Sequence, residues 1–415
     1  MSSDHGRRVA AFLDARHAGQ VAFLAELVKV PSDNPPGDTV DHARRASELL
    51  ADLGLPVDLL PVPDALVRAN GMVSATNLVV RRRFGEGGPT VALNAHGDVV
   101  PPGEGWRHDP YGAAVEDGWM YGRGVAVSKS DFATYAYALL ALEDLAASGV
   151  SLNGAVELNL TYDEEAGGEI GPRWLLEQGI SKPDLAIGAG FSYAVTTAHN
   201  GCLHLEVEAL GRSAHAAKPF TGVDALEAAN AVLSALYAYR GALGGMTSAF
   251  PGIGSPQLTV GLIKGGINTN VVPDRVTLRL DRRMIPEESP ETVEGELREV
   301  IAAAASAFPQ ARVEVRRILL AEPLVPSAEG ERVAAILCRH ASRVTGEPVE
   351  AGGVPLYTDA RHYAAAGVPI VLYGAGPHTI EEANAHRADE RLSLDDLRKA
   401  TEVVALTLAD LLGVG

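Results

Sequence analysis

Apolar residues recur at helical spacing in two stretches near the start of the chain, 19–30 and 40–53, separated by the turn-rich segment PSDNPPGD. Both stretches predict surface helices. Short apolar runs at 77–82 and 90–94 are typical of strands buried in a sheet. Beyond a long turn-rich insert, the pattern predicts helices at 129–147 and 172–177 and strands at 155–161 and 184–187. Strands alternating with helices indicate an α/β layer with a mainly parallel sheet.

The order of predicted elements changes from about residue 201. The pattern there predicts a strand in CLHLEVEAL, a helix at 225–239, strands in QLTVGLI and RVTLRLD, a helix at 290–307 and a strand in RVEVRRIL. This β-α-β-β-α-β order is the ferredoxin-like arrangement. Patterns of the α/β type then resume at 330–345, 369–373 and 394–412. We therefore predict an α/β domain in two parts, 1–199 and 316–415, with a second domain inserted at 200–315.

Composition and charge narrow the class of protein. A chain of 415 residues is long enough for two or three domains. Asp and Glu outnumber Lys and Arg by 53 to 35, and no basic cluster interrupts this excess, which excludes nucleic acid as a partner. The chain shows neither the apolar core of a signal peptide nor an apolar run of about 18 residues, so we expect a cytoplasmic protein without a membrane partner.

The two cysteines, Cys202 and Cys338, stand alone in the sequence. Neither belongs to a C-x-x-C motif or has a His-rich neighbourhood, so neither a disulfide nor a thiolate metal site is indicated. We expect two inert thiols that pack as small apolar side chains.

The sharpest local motif is AHGD, which places His96 and Asp98 directly after an apolar strand. Residues two apart in a strand point the same way, so Asp98 can reach one imidazole nitrogen while the other nitrogen faces a metal ion. An H-x-D pair is also common by chance, and a hydrogen-bonded surface pair is the alternative.

The segment TYDEEAGGE places Asp163, Glu164 and Glu165 at the end of a predicted strand. Three adjacent carboxylates repel one another, so the cluster is costly unless a cation or solvent relieves the repulsion. A bound cation is the simplest explanation, and a solvated acidic loop is the alternative.

Histidines occur in two further candidate segments. GPHTIEEANAHRADE contains His378 and His386 before the last predicted helix, and one of them could return to the same strand ends as a ligand. GRSAHAAKPFTG contains His215, whose small neighbours would leave its ring accessible near the first strand of the inserted domain.

Six segments together resemble the M20 family of metallopeptidases and deacylases, which includes desuccinylases, acetylornithine deacetylases, carboxypeptidase G and aminoacylases. They are NAHGDVVPPGEGWRHDPYGAAVEDGWMYGRG, TYDEEAGG, GRSAHAAKPFTGVDA, GGINTNVVPDRVTLRLDRR, PLYTDARHY and AHRADERL. The resemblance implies an α/β catalytic domain with a pair of zinc ions. It also implies an inserted domain that forms a homodimer and can lend a His to the partner's active site.

The same resemblance assigns expected roles at the metal centre. His96 resembles a ligand of one metal ion, and Asp98 resembles the carboxylate that orients it. Glu164 resembles the general base that takes a proton from the attacking water. Glu165 and His386 resemble ligands of the second ion.

Three residues of the inserted region resemble groups that contact the substrate. His215 resembles the His that stabilises the oxyanion, while Asn270 and Arg283 resemble residues that hold a substrate carboxylate. Either of the last two could instead fix a loop.

Two positions depart from the family pattern. Val127, in GRGVAVSKSD, stands where a metal-bridging Asp is expected, and Gly190, in GAGFS, stands where another Asp or Glu ligand is expected. Two divalent ions would bring far more positive charge than Glu165, the remaining carboxylate ligand, can balance. One ion held by His96, Glu165 and His386 would keep an open position for water. We therefore predict one divalent ion per chain, Zn²⁺ or Mn²⁺ ahead of Co²⁺ or Fe²⁺.

Asp131 is the candidate replacement for the missing bridging carboxylate. It lies four residues beyond Val127, or about 6 Å further along a helix. The sequence Ser128–Asp131 also fits the S-x-x-D pattern of a helix start, in which Asp131 would cap backbone N–H groups. We prefer the capping role.

The leading function is hydrolysis of the amide bond of a small N-acyl amino acid or peptide-like carboxylate, with Glu164 as general base. Hydrolytic deamination of a small, amino-substituted and possibly aromatic acid at one metal ion is the second hypothesis. An inactive M20-like binding protein is the third, and the retained set of candidate residues argues against it. The chain has no G-x-S-x-G or Walker A motif, which argues against serine hydrolases and kinases.

Overall fold

The computed structural model describes residues 3–413, which form two compact units. The first unit comprises the chain up to Thr197, Pro326–Gly352 and the chain from Thr358 onward. The second unit comprises Ala198–Val325 and Gly353–Tyr357. Its long segment extends ten residues beyond the end of the predicted insert, residue 315, and the short segment was not predicted.

The elements are numbered here in chain order. The helices are α1 (Ser3–Val28), α2 (Val40–Asp52), α3 (Asp64–Ala69), α4 (Lys129–Ala147), α5 (Pro172–Glu177), α6 (Ala225–Leu243), α7 (Pro290–Ala305), α8 (Ala328–Thr345), α9 (Ala360–Ala365) and α10 (Leu394–Leu411). The strands are β1 (Val57–Pro61), β2 (Thr76–Gly85), β3 (Thr90–His96), β4 (Ala114–Glu116), β5 (Trp119–Tyr121), β6 (Gly154–Thr161), β7 (Leu185–Gly188), β8 (Val195–His199), β9 (Gly201–Leu210), β10 (Gln257–Gly265), β11 (Arg275–Met284), β12 (Arg312–Ala321), β13 (Ala351–Val354), β14 (Ile370–Leu372) and β15 (Arg391–Ser393).

The larger sheet has eight strands in the order β1-β2-β6-β3-β7-β14-β8-β13. Its central strands β6, β3, β7 and β14 are parallel, and antiparallel pairs flank them. Strands β3 and β6 are buried along almost their whole length, which is consistent with the predominance of apolar residues in both. Helices α1, α4 and α10 pack together beside this sheet and share its core. The predicted α/β class with a mainly parallel sheet is confirmed.

The second unit contains a four-stranded antiparallel sheet in the order β10-β11-β9-β12. Its elements follow the predicted β-α-β-β-α-β order. Odd-numbered residues of β9, such as Leu203 and Leu205, are buried and share a core with helices α6 and α7. Even-numbered residues of β9 lie on the other face of the sheet because side chains alternate along a strand.

In the first part of the chain, the observed elements differ from the predicted ones in their bounds and in number. Helix α1 begins at Ser3 rather than residue 19, and part of the segment interpreted as a turn-rich insert forms the hairpin β4–β5. Asp117 and Gly118 both have positive φ in that hairpin, a backbone for which an Asp-Gly pair is the usual sequence signal. Between residues 3 and 413, no helix is long and apolar enough to cross a membrane.

Candidate active site

The candidate site begins where two parallel strands end. Strand β3 ends at His96, which lies opposite Thr161 at the end of β6. Glu164 and Glu165 follow β6 in a 3₁₀ turn, Glu164–Ala166. Because β3 and β6 are parallel, their carboxyl ends meet at one edge of the sheet, which is where open α/β sheets place their ligand sites.

Asp98 is the buried residue that organises this edge. Its Oδ2 accepts hydrogen bonds from Nδ2 of Asn34 at 2.9 Å and from the backbone N–H of Glu165 at 3.2 Å. Its Oδ1 accepts a hydrogen bond from the N–H of Glu164 at 3.3 Å and lies 3.3 Å from Nδ1 of His96. Asp98 therefore fixes the turn that carries both glutamates and also faces the imidazole. Sequence reasoning missed Asn34 because its loop, PSDNPPGD, showed only turn signals.

The imidazole of His96 has a defined orientation. Its Nδ1 lies 3.0 Å from the backbone carbonyl of Asp98, and because a carbonyl can only accept, Nδ1 carries the hydrogen. Nε2 lies 3.9 Å from Oε2 of Glu164. Burial opposes the charged ring, but the hydrogen bond with Asp98 and the charges of Glu164 and Glu165 prevail and raise the pKa of His96 well above its ordinary value.

Glu164 is a largely buried carboxyl beside His96, with its side chain 19% exposed. Its pKa is raised to about 7, chiefly by burial; the charges of Glu165 and Asp98 add to the rise, and those of His96 and His386 oppose it. A carboxyl with a pKa close to neutral can both accept and return a proton.

Asp163 and Glu165, the other two carboxylates of this segment, have different partners. Asp163, the first of the three consecutive carboxylates, closes its own loop, because its Oδ2 accepts the N–H of Ile170 at 2.7 Å. Glu165 faces His386, with 3.3 Å between Oε1 and Nε2. The hydrogen bond with Glu165 raises the pKa of His386. His378 instead stacks on Tyr193 at 4.1 Å between ring centroids.

The three predicted metal ligands therefore lie in two pairs, His96 with Glu164 and His386 with Glu165. Within residues 3–413, one group of three His, Cys, Asp or Glu residues has ligand atoms that all lie within 4.8 Å of one another. That group is in the second unit and not at this site. A single ion held by His96, Glu165 and His386 would require the two pairs to move closer together.

Asp359 is a residue of this site that sequence reasoning missed. It is buried just before α9, and burial together with the negative charge of Glu164 raises its pKa well above the ordinary value. A Cβ added to Gly168 would lie 2.2 Å from Oδ1 of Asp359, so only glycine allows this close approach. Arg361, two residues further on, donates a hydrogen bond to the carbonyl of Gly167. The segment PLYTDARHY contributed to the family resemblance, but its spacing gave no role for Asp359.

The donor set at this edge fits a divalent cation. Four buried or largely buried carboxylates converge here, on Asp98, Glu164, Glu165 and Asp359. The neighbouring carboxylates raise the pKa values of His96 and His386, so the surroundings of both rings are negatively charged. Oxygen and imidazole donors are the ligands that Zn²⁺ and Mn²⁺ accept.

Val127 and Gly190, the two positions predicted to depart from the family pattern, have defined surroundings. The backbone N–H groups of Ala126 and Val127 donate to Oε1 of the buried Glu390 at 3.0 and 3.2 Å, and the Val127 side chain packs against the apolar core. A Cβ added to Gly190 would lie 2.7 Å from the backbone nitrogen of Tyr373. Neither position can supply a metal ligand.

The predicted capping role of Asp131 is wrong. Its carboxylate does not cap α4, and Oδ1 instead accepts the backbone N–H of Ala375 at 2.7 Å. Burial raises the pKa of Asp131 to about 7. Asp131 therefore ties the start of α4 to the segment after β14.

The predicted substrate-contacting residues lie in the second unit, at two separate places. His215 and Asn270 are exposed neighbours, because His215 pairs with Val271 and the N–H of Ala216 donates to the Asn270 carbonyl at 2.9 Å. This pairing lies beyond the Arg275 end of β11.

Arg283 lies towards the opposite end of β11. Eight residues of extended strand separate it from Arg275, roughly 27 Å. Its Nε donates to Oδ1 of Asp281 at 3.0 Å. Asn270 and Arg283 of one chain therefore cannot hold the same small carboxylate.

Comparison with known proteins identifies the class to which this fold and site belong. Residues 92–410, well over half of the chain, match the sequence model of peptidase family M20/M25/M40. The chain belongs to this family of metallohydrolases.

Individual relatives cover nearly the whole chain. Acetylornithine deacetylase of Edwardsiella ictaluri is 29% identical over 384 residues, covering 90% of this chain and 93% of the relative. Succinyl-diaminopimelate desuccinylase of Gluconacetobacter diazotrophicus is 28% identical over 405 residues, covering 95% and 97%. The fold is similar to that of the YXEP protein of Bacillus subtilis, a dinuclear metal binding peptidase from the M20 family, with a TM-score of 0.69, 18% identity, and coverage of 96% and 99%.

Proposed function

We propose that this protein hydrolyses the amide bond of a small N-acyl amino acid or peptide-like carboxylate. The observation that carries the proposal is the largely buried Glu164 carboxyl, with a pKa of about 7, whose Oε2 lies 3.9 Å from Nε2 of His96 at the carboxyl ends of parallel strands. The relatives named as a deacetylase and a desuccinylase support removal of an acyl group.

In the proposed reaction, Glu164 accepts a proton from the attacking water and later returns it to the leaving amine. Asp98 keeps the Nδ1 hydrogen of His96 in place and holds the N–H groups of both glutamates. A divalent ion held by His96, Glu165 and His386 would lower the pKa of the water and polarise the substrate carbonyl.

The proposed site holds one ion, although the similar YXEP protein is dinuclear. The reason is that Val127 and Gly190 offer no carboxylate where the family pattern expects one. If His96, Glu165 and His386 are the ligands, two ions would each keep at most two protein ligands, whereas one ion keeps three and an open position for water.

Single and double histidine variants test the number of ions. If one ion is shared, His96→Ala should lose one ion per chain relative to the wild type. His386→Ala and the double variant should lose that same single ion and no more. Elemental analysis measures the number of ions. His378→Ala, on the neighbouring loop, should lose none. A double variant that loses one more ion than either single variant would show that two ions bind.

The proposal places His215 as the donor that stabilises the oxyanion in a homodimer formed through the inserted domain. Strand β10 lies at the edge of the four-stranded sheet and exposes Leu262 and Ile263. An exposed apolar edge strand favours pairing with a second chain. A dimer would also allow Asn270 and Arg283 to act on one carboxylate from different subunits.

A substrate panel separates amide hydrolysis from deamination. Protein loaded with Zn²⁺ or Mn²⁺ should release the carboxylic acid from N-acetyl and N-succinyl amino acids and from dipeptides. Amino-substituted aromatic acids should release no ammonia. Ammonia release without acid release would favour deamination, and inactivity across the whole panel would favour a binding protein.

A further inference from the structure

A second group of metal-ligating side chains lies on the four-stranded sheet of the second unit. Cys202 and His204 are two residues apart on β9 and therefore share a face of the sheet. Asp281 on β11 lies directly opposite His204, and Arg283 lies opposite Cys202. The sheet register thus brings a thiol, an imidazole and a carboxylate together.

The ligand atoms of these three residues are already close. Nε2 of His204 lies 3.0 Å from Oδ2 of Asp281, and Sγ of Cys202 lies 3.8 Å from the same oxygen. All three ligand atoms lie within 4.8 Å of one another. Bond lengths of 2.0–2.3 Å in a tetrahedral zinc site place neighbouring donor atoms about 3.3–3.8 Å apart. Small side-chain rotations would bring all three donors to one ion.

We propose that Cys202, His204 and Asp281 form a Zn²⁺ site in the second unit, with a solvent molecule as the fourth ligand. The thiol loses its proton on binding, so thiolate and carboxylate together balance the two charges of the ion. The site is reachable from solvent, because the side chains of His204 and Asp281 are 34% and 31% exposed. Their mixed sulfur, nitrogen and oxygen donors suit Zn²⁺ better than Mg²⁺ or Ca²⁺.

Arg283 supports the carboxylate of this site from the outside. Its Nε lies 3.0 Å from Oδ1 of Asp281 and 3.3 Å from Oδ2, so it is closer to the oxygen that does not face the thiol and imidazole. Carboxylates that bind metals are commonly held by such an outer hydrogen bond.

The contacts favour a shared ion over a catalytic relay. In a nucleophilic relay, the imidazole lies between the thiol and the carboxylate and accepts the thiol proton. Here both the thiol and the imidazole approach the same Asp281 oxygen. The group could not be predicted from the sequence, because Cys202 and His204 form no familiar motif and Asp281 is 77 residues beyond His204.

Cobalt titration of the full-length protein tests the site. Co²⁺ adopts the ligands of Zn²⁺, and a thiolate ligand adds a charge-transfer absorption in the near ultraviolet. We expect this absorption in the wild type and in Cys338→Ser, and its loss in Cys202→Ser. Added Zn²⁺ should abolish it by displacing Co²⁺. His204→Gln should weaken Co²⁺ binding by roughly tenfold or more while leaving the thiol in place.

The result is independent of the proposed function, because none of His96, Glu165 and His386 supplies sulfur. His96→Ala should therefore keep the thiolate absorption. Wild-type protein without the absorption, or an absorption that persists in Cys202→Ser, would overturn the proposal. Unchanged Co²⁺ affinity in His204→Gln would also overturn it, and this variant remains informative if Cys202→Ser fails to fold.

Discussion

Replacing Glu164 with Gln is expected to lower kcat by about 10³-fold, since a positioned general base typically contributes 10²–10⁴-fold. The amide has nearly the size and shape of the carboxyl but cannot take a proton from water. KM should change little, and the ion held by His96, Glu165 and His386 should remain bound. Steady-state kinetics on the best substrate of the panel, together with elemental analysis, measures both effects.

Glu177→Gln is the matched control for this variant. Glu177 is an exposed residue of α5 that pairs with Arg173, so the same chemical change should leave kcat within about twofold. A Glu164→Gln enzyme that keeps a large part of the wild-type kcat would remove Glu164 as the base. Loss of the ion along with activity would instead indicate that Glu164 is a metal ligand.

Replacing Arg123 with Ala is expected to reduce the stability of the first unit by about 3–5 kcal/mol, the cost of leaving a buried charge without its partner. Nη1 of Arg123 lies 2.5 Å from Oε2 of Glu390, and both side chains are 1% exposed. Glu390 also holds the N–H groups of Ala126 and Val127, so the damage should extend to the segment beside His96. The three tryptophans, Trp106, Trp119 and Trp174, all lie in the first unit, so tryptophan fluorescence during urea unfolding reports on that unit.

A neighbouring ion pair provides the control. Arg107 pairs with Asp389 at 2.8 Å, but its side chain is 81% exposed, so Arg107→Ala should reduce stability much less than Arg123→Ala. Replacing Arg123 with Met and Glu390 with Gln should recover much of the stability lost in Arg123→Ala, because no unpaired charge is then buried and the Gln side-chain oxygen can still accept the N–H groups of Ala126 and Val127. Equal losses for Arg123→Ala and Arg107→Ala would show that burial of the Arg123 pair has no energetic consequence.

The sequence predicted those parts of the candidate site whose residues are close together along the chain. His96 and Asp98 belong to one four-residue motif, and Glu164 and Glu165 are adjacent, each group directly after an apolar strand. The carboxyl ends of neighbouring parallel strands meet by geometry, so the pairing of these motifs follows once the strands are predicted.

The sequence did not predict the contacts between segments that are far apart along the chain. Asn34 reaches Asp98 from 64 residues away, Asp131 reaches Ala375 across 244, and Arg123 reaches Glu390 across 267. The S-x-x-D pattern gave the wrong partner for Asp131, because a buried carboxylate bonds to whichever N–H group the packing presents. No local spacing encodes that choice.

The sequence by itself determined the main strands and helices of the α/β layer, the β-α-β-β-α-β order of the second unit, and the motifs at the ends of β3 and β6. Hydrophobic periodicity and short motifs are sufficient for these features because both are properties of neighbouring residues. Only the tertiary structure decided the partners of Asp98 and Asp131, the place of Asp359 beside Glu164, and the meeting of Cys202 and His204 with Asp281. Those contacts depend on strand register and on packing between distant segments, which bring together groups that the chain keeps far apart.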